Sequence, residues 1–446
     1  MISYFYTKIN SGVGMTAVSA MLARVVTAVL QILTVRAAIF LIGIDQYSII
    51  AIIVGLQAWF MILDFGGSFS FLNYASEKQA VGKGAQECLA CGLIWSIASV
   101  LVGTLVLNIL AAPAANWLFQ NGKIFTKFKD AETALRVGGT LFIIFANTQL
   151  ISRLWLAEGR GYIANILPVL GSLSTFLIFK LVGLLGAFHL DTSITVLIFC
   201  FPNALVQLAC LIWVSLKRGV VLSSCDKEFF RVFGKRALQA TVFSLQAAFT
   251  LQIDYIILSR LANSNEIVIY SILSRIFILL SFVYTSVLTS IWPILSYSIV
   301  HRHVAKLRQM IKYLFIFGTA FVVLASAVIY ILQDHLFDLM THGKIIVIPP
   351  FLVIFMGLNQ LAVLWVSILS QIMQVAGRLN IMIRASFFQL AISVGLQYWL
   401  TIKFGITGIV AGVLLSYMIG GLVPLIFFVR LFLRKLEGEE LIRATG

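Results

Sequence analysis

Runs of about twenty apolar residues, the length of one membrane crossing, recur from one end of the chain to the other, and nothing constrains its fold more. They are centred on 13–35, 47–68, 88–110, 138–156, 163–184 and 193–216 in the first half. The second half repeats the count at 237–259, 268–291, 311–332, 346–372, 381–402 and 406–431. Of the 446 residues 61% are hydrophobic and only 11% charged, whereas about a quarter are charged in a soluble domain. The runs are rich in Leu, Ile, Phe and Val without strict alternation. That pattern fits spanning helices and not barrel strands, which are about ten residues long with a two-residue period. The expected fold class is an all-α integral membrane protein with about 12 transmembrane helices.

In a soluble chain a net charge of +15 would suggest nucleic acid, but here the charge follows membrane topology. With the N-terminus inside, 21 of the 32 Lys and Arg residues fall in cytoplasmic segments and 8 outside, while Arg24, Lys180 and Arg275 lie within spans. The positive-inside rule therefore places both termini in the cytoplasm. The loop with Lys123, Lys127, Lys129 and Arg136 dissents; it is assigned to the periplasm because reversing it would invert every more basic loop. Lys8 alone precedes the first span and no small-residue cleavage site follows, so no removable signal is expected. Cys88, Cys91, Cys200, Cys210 and Cys225 suggest no disulfide framework. The CxxC of Cys88 and Cys91 lacks the second ligand pair of a zinc site and the context of a redox motif, so helix packing is its expected role.

Polar residues inside the spans are the candidates for function. Thr16, Ala20, Arg24, Thr27, Gln31 and Thr34 recur at three- and four-residue steps and form one stripe on the first helix. Arg24 lies near mid-membrane, where a charge costs about 2.5–3.5 kcal/mol on insertion scales and is usually functional or paired. A cavity role and a structural ion pair both fit it. Asp64, followed by Gly66 and Gly67, ends the second span as a gating acid or an ordinary interfacial one. Pro168 and Pro202 mark bends in the fifth and sixth spans.

The chain also reads as a repeat. Adding 223, half of 446, to first-helix positions carries Thr16 to Gln239, Thr27 to Thr250, Gln31 to Asp254 and Tyr47-Ser48 to Tyr270-Ser271. Two six-helix lobes are therefore expected, 1–216 and 237–446, joined by a basic cytoplasmic linker at 217–236. In the seventh span Gln239, Gln246, Thr250 and Asp254 share one face. Asp254 is expected within reach of Arg275 on the next span, where each would hold the other charged, whether as a coupling pair or a static bridge.

The segments LDFGGSFSFLNYASE, LQIDYIILSRL followed by EIVIYSILSRI, SIWPILSYS and KFGITGIVAG carry a family resemblance. With the twelve-span layout they are similar to the O-antigen flippase (Wzx-type) family, in the polysaccharide branch of the multidrug/oligosaccharidyl-lipid/polysaccharide (MOP) exporter superfamily. The resemblance implies a MATE-like pair of lobes around a central cavity that opens alternately to each side of the bacterial inner membrane. It also implies a polyprenyl pyrophosphate-linked oligosaccharide as substrate, membrane lipids and polysaccharide-assembly proteins as partners, and no enzymatic activity. By position Asp254, Tyr270 and Pro293 fall on the family's pattern.

The residues suit such a cargo. Arg24 and Arg275 offer guanidinium forks for phosphate oxygens, and Thr27, Gln31, Gln246 and Thr250 offer hydrogen bonds for sugar hydroxyls. No GxxxxGK[ST] motif is present, so direct drive by ATP is not expected, nor a cofactor; a proton or sodium gradient acting through Asp254 or Asp64 and the membrane potential alone both stay open. A drug or cation antiporter of the same superfamily would be expected to carry a first-lobe acid for cation coupling, whereas the first helix here has Arg24 and no carboxylate. A lipid II flippase usually has fourteen spans. A polysaccharide polymerase or ligase needs an outside catalytic loop, and the longest external loop, about 112–136, has no His. Asp334, His335, Asp338 and His342 could gather a metal or form a short solvated helix, and the latter is the expectation.

Overall fold

A computed structural model gives the fold and describes residues 12–80, 85–120, 131–186, 190–222, 225, 227–341, 348–349, 351–376 and 378–445. Lys8, the cleavage question, Lys123, Lys127, Lys129 and His342 lie outside the described residues, as do the side chains of Thr250 and Pro293. All regular structure among the described residues is helical. In order the helices are α1 Gly12–Gly55, α2 Gln57–Met61, α3 Gly67–Ala80, α4 Ala85–Ala115, α5 Ala131–Thr148, α6 Leu150–Ala157, α7 Gly161–Ala164, α8 Ile166–Leu184 and α9 Thr192–Lys217. They continue with α10 Lys227–Leu261, α11 Ser264–Val300, α12 Val304–Thr341, α13 Leu352–Val375, α14 Leu379–Ser416 and α15 Val423–Thr445. π-Helical turns at Asn116–Gln120 and Tyr417–Leu422 follow α4 and α14.

Helix throughout is what an apolar solvent demands, because backbone N–H and C=O groups in a bilayer must be satisfied within the segment. Among the described residues nine stretches are long and apolar enough to cross a membrane, the longest being Ile381–Gly438 with 58 residues. The side chains agree. Leu101, Leu105 and Ile109, one turn apart on α4, are 67%, 62% and 66% exposed, and Phe317, Leu324 and Ile331 form a similar outward stripe on α12. Such stripes are stable facing lipid and not water.

Two long helices are interrupted at glycines. Gly43 in α1 has φ 79° and Gly405 in α14 has φ 60°, left-handed values that glycine adopts at little cost. Around Gly405 the packing is that of an antiparallel hairpin. A Cβ on Gly408 would meet the Leu400 carbonyl oxygen at 2.1 Å, one on Gly412 the Gln397 Cα at 2.6 Å, and one on Gly420 the Gln389 Cα at 2.5 Å. The partner numbers fall as the glycine numbers rise, so the two arms run in opposite directions.

The helices group into two compact units, one of Met1–Val268 with Met340–His342 and one of Ile269–Leu339 with Gly343–Gly446. In the first, α5 packs on α9 and α4, α8 on α1 and α9, and α3 on α6. Phe71, Leu89, Ile151, Leu154, Trp155 and Phe233 form a core at one end of it. In the second, Tyr284, Leu307, Val322, Ile368, Met373 and Leu425 share a core across α11, α12, α13 and the last helix.

The expected seventh span, 237–259, is helical within α10. It packs against α1, α2 and α3, in the first unit. Pro202 lies inside an unbroken α9, and Pro168 sits in the first turn of α8, where its missing N–H has no intrahelical partner to lose.

Candidate functional site

The helices of the first unit carry two buried carboxylates, Asp64 at 9% exposure and Asp254 at 8%. Asp64 belongs to a break in the chain. After α2 comes one 3₁₀ turn, Ile62–Asp64, and then Phe65 and Gly66 adopt left-handed φ values of 50° and 68° before α3 starts. The first N–H groups of a helix have no partner within it. Here the Asp64 carboxylate accepts the Gly66 N–H at 2.7 Å and the Ser68 N–H at 3.2 Å, a negative charge placed at the positive end of α3. Trp95 Nε1 donates to the Asp64 carbonyl at 3.1 Å, and Ser68 Oγ donates to the Ala146 carbonyl at 2.8 Å. Arg153 on α6 lies within electrostatic reach of Asp64, and its Nε is buried without a hydrogen-bond partner. Asp64 therefore has an architectural task whatever else it does.

Asp254 is presented differently. Its helix, α10, is fastened along its length to the segment 55–66 and to the end of α4. The Ala237 carbonyl and the Ala240 side chain crowd Gly66, Phe249 meets Trp59 edge-on at 4.5 Å, and the Tyr255 ring covers Gly55. Gln252 Oε1 accepts the Ala58 N–H at 2.8 Å, supplying a partner at the start of α2, where Leu56 gives no side-chain cap. Arg260 donates to the Trp117 carbonyl in the π-helical turn and lies over the Trp117 ring at 5.1 Å. Asp254 thus rides on a helix gripped above and below it, with its Oδ1 accepting the Tyr255 N–H at 2.9 Å. Gln252, Arg153 and Arg260 were not singled out from sequence, because single-chain periodicity marks a face and not its partner.

The other sequence candidates are distributed as follows. Along the first-helix stripe Arg24 and Gln31 are exposed, Thr27 is half-buried with its hydroxyl unpartnered, and Thr34 is buried and donates to its own Leu30 carbonyl. The start of the stripe is tied inward, since Asn165 Nδ2 donates to the Thr16 carbonyl and to Ser19 Oγ. Gln246 is buried on α10. Arg275 is half-buried on α11 in the second unit. That unit holds its own neutral polar seam. Gln360 donates to Ser281 Oγ, Gln371 Nε2 to the Leu288 carbonyl at 2.5 Å and Trp365 Nε1 to Thr319 Oγ1 at 2.9 Å. Asp334, His335 and Asp338 are exposed on the last turns of α12, and among the described residues no group of three acids, histidines or cysteines could hold a metal.

The cysteines correct the sequence expectation. Cys91 on α4 and Cys225 in the linker form a disulfide with Cα atoms 5.0 Å apart. The pairing spans 134 residues, so no local spacing could announce it. The linker is stitched elsewhere too. Arg218 makes a two-pronged bridge to Glu158 at 2.5 and 2.9 Å, Phe233 packs edge-on against Trp95 at 5.0 Å, and Arg236 pairs with Glu77 at 2.8 Å.

No family model matches the chain. It is 24% identical over 405 residues to a "Putative O-antigen export protein" of Yersinia pseudotuberculosis, covering 90% of this chain and 92% of that protein. It is 25% identical over 402 residues, with the same coverage, to a "Putative O-antigen transporter" of Salmonella typhi. Among solved structures it is similar to an inward-facing multidrug resistance MATE family transporter of the MOP superfamily, with TM-score 0.75, 15% identity, and 94% and 99% of the two chains covered. A MOP superfamily transporter from Pyrococcus furiosus matches with TM-score 0.59 at 15% identity, covering 96% of each chain. The fold is the MATE-like one, and the resemblance drawn from the motifs is borne out by relatives that span nearly the whole chain.

Proposed function

We propose that this chain, a multi-pass helical membrane protein of MATE-like fold similar throughout to O-antigen exporters, is a flippase. It moves a polyprenyl pyrophosphate-linked oligosaccharide from the cytoplasmic to the periplasmic leaflet of the bacterial inner membrane by alternating access. It is a transporter and not an enzyme. The single observation that carries the reading is the similarity to O-antigen export and transport proteins over 90% of the chain, in a fold otherwise known from transporters. Twelve spans follow if the breaks at Gly43 and Gly405 each separate two crossings and α10 is counted as a crossing too. Both termini then lie in the cytoplasm, with lobes at 1–216 and 237–446 and the basic linker 217–236 on the inner face.

The roles follow the chemistry. Arg24 and Arg275 are assigned to the pyrophosphate, whose oxygens suit guanidinium forks. Thr27, Gln31, Gln246 and Thr250 are assigned to sugar hydroxyls, and Asp254, with Asp64 as the second candidate, to coupling a proton or sodium ion. Outward movement of negative charge is aided by an inside-negative potential, by about 2.3 kcal/mol per charge per 100 mV. Membrane lipids and polysaccharide-assembly proteins are the expected neighbours.

A clean deletion is expected to accumulate lipid-linked oligosaccharide in the cytoplasmic leaflet, measured by lipid extraction and leaflet-selective labelling. Unchanged surface polysaccharide would sink the proposal. Arg24→Ala is expected to lower flipping at least tenfold, the loss of about 1.4 kcal/mol, at normal membrane abundance. Full activity in that variant would return Arg24 to a packing role.

A further inference from the structure

We infer that Cys91 and Cys225 form a thiol-modification site, through which exchange with a low-molecular-weight disulfide clasps the linker to the first unit. The inference rests on the orientation proposed above, which puts this linker in the cytoplasm. Thiols there are kept reduced, and the disulfides that do form are usually transient or redox-sensing. A bond joining Cys225, two residues before α10, to Cys91, inside α4, is therefore a state and not a permanent staple.

The surroundings fit a reversible clasp. Cys225 is half-buried against the cluster of Phe71, Leu89, Trp155 and Phe233, within which Cys91 is 2% exposed, so Cys225 is the more accessible of the two. The accessible sulfur reacts first. The Cys225 thiolate attacks one sulfur of the small disulfide, forming a mixed disulfide and expelling one small thiolate. Cys91 then gives up its proton and attacks the Cys225 sulfur, expelling the second small thiolate. The two protein cysteines lose two electrons, the small disulfide gains them, and the two protons end on the two expelled thiols. A metal at these sulfurs is disfavoured, since among the described residues no third ligand joins them.

Reduction leaves the non-covalent stitches in place. The Arg218–Glu158 bridge still holds the end of α9, and the Trp95–Phe233 contact still holds the first turns of α10. What changes is the covalent tie between the third apolar run and the helix that begins the second repeat. In the oxidised form the start of α10 is held to α4; in the reduced form it is held by side-chain contacts alone.

Membranes containing the full chain are treated with glutathione disulfide or with dithiothreitol, denatured, and tagged with maleimide-polyethylene glycol. The oxidised protein is expected to take three tags, on Cys88, Cys200 and Cys210, and the reduced protein five. Cys225→Ser is expected to take four in both conditions, and Cys91→Ser repeats the test should that variant fold poorly. In nanodiscs, amide hydrogen exchange over 227–236 is expected to be about threefold faster in the reduced form, and equal in both conditions for Cys225→Ser. Five tags after oxidation, or exchange that ignores the redox state in the wild type, overturns the inference. Neither readout involves cargo, so a failed deletion phenotype would remove the flippase reading while leaving this result to be judged separately.

Discussion

Asp64 and Asp254 are carboxylates of similar burial in one unit, and their oxygens are engaged in different ways. Asp64 sits where the helix stops, and it accepts two backbone N–H groups that α3 cannot satisfy. Asp254 sits about two turns before the end of α10, whose backbone runs on through it without need of a cap, and its Oδ1 accepts the Tyr255 N–H. The first acid is required by the architecture around it. The second is carried by an architecture that Gln252, Phe249, Tyr255 and Arg260 hold together on its behalf. The buried acid that caps no helix start is the one assigned above to coupling.

Substitutions can break this contrast. The largest loss of stability is expected for Asp64→Ala, which strands two buried donors and costs about 2–3 kcal/mol. Asp64→Asn keeps an acceptor and should recover most of that in thermal unfolding in detergent. If Asn proved as damaging as Ala, the charge facing Arg153 would matter more than the cap. Gln252→Ala should cost about 1–2 kcal/mol by leaving the Ala58 N–H unpaired, read in the same melt. No loss there would mean that water replaces Gln252 and that the grip on α10 is weaker than drawn. The smallest change in stability, about 1 kcal/mol or less, is expected for Asp254→Asn, which keeps an acceptor for the Tyr255 N–H, with loss of the dependence of flipping on an imposed proton or sodium gradient. A large fall in stability with the gradient dependence intact would make Asp254 a second architectural acid and erase the distinction.

Much of this was legible in the residues themselves. Apolar runs located the long helices though not α3, and both buried acids stood out against them. Prolines mark only some of the interruptions: a turn at Asn165 separates α7 from α8 just before Pro168, α9 continues through Pro202, and left-handed glycines interrupt the chain at Gly43, Gly66 and Gly405. A glycine in an apolar run looks the same whether it turns the chain or lets another helix approach, as Gly412 does at Gln397. What stayed hidden were pairings across long separations. Cys91 meets Cys225, Ala58 meets Gln252 and Trp117 meets Arg260, over 134, 194 and 143 residues. Periodicity tells which residues share a face, and only the packed chain tells which faces meet.

The attachment of α10 to the preceding helices has a consequence for how the protein is made. A nascent chain that has released Lys217 lacks the partner for the Ala58 N–H, the cover for Gly66 and the ring that meets Trp59. All three arrive with the helix ending at Leu261, 44 residues later. At synthesis rates of about 5–20 residues per second that is a wait of roughly 2–9 s. For that interval a polar main-chain amide and an open glycine flank must be shielded by the insertion machinery or by neighbouring lipid. The helices up to Lys217 thus finish packing only after α10 has emerged.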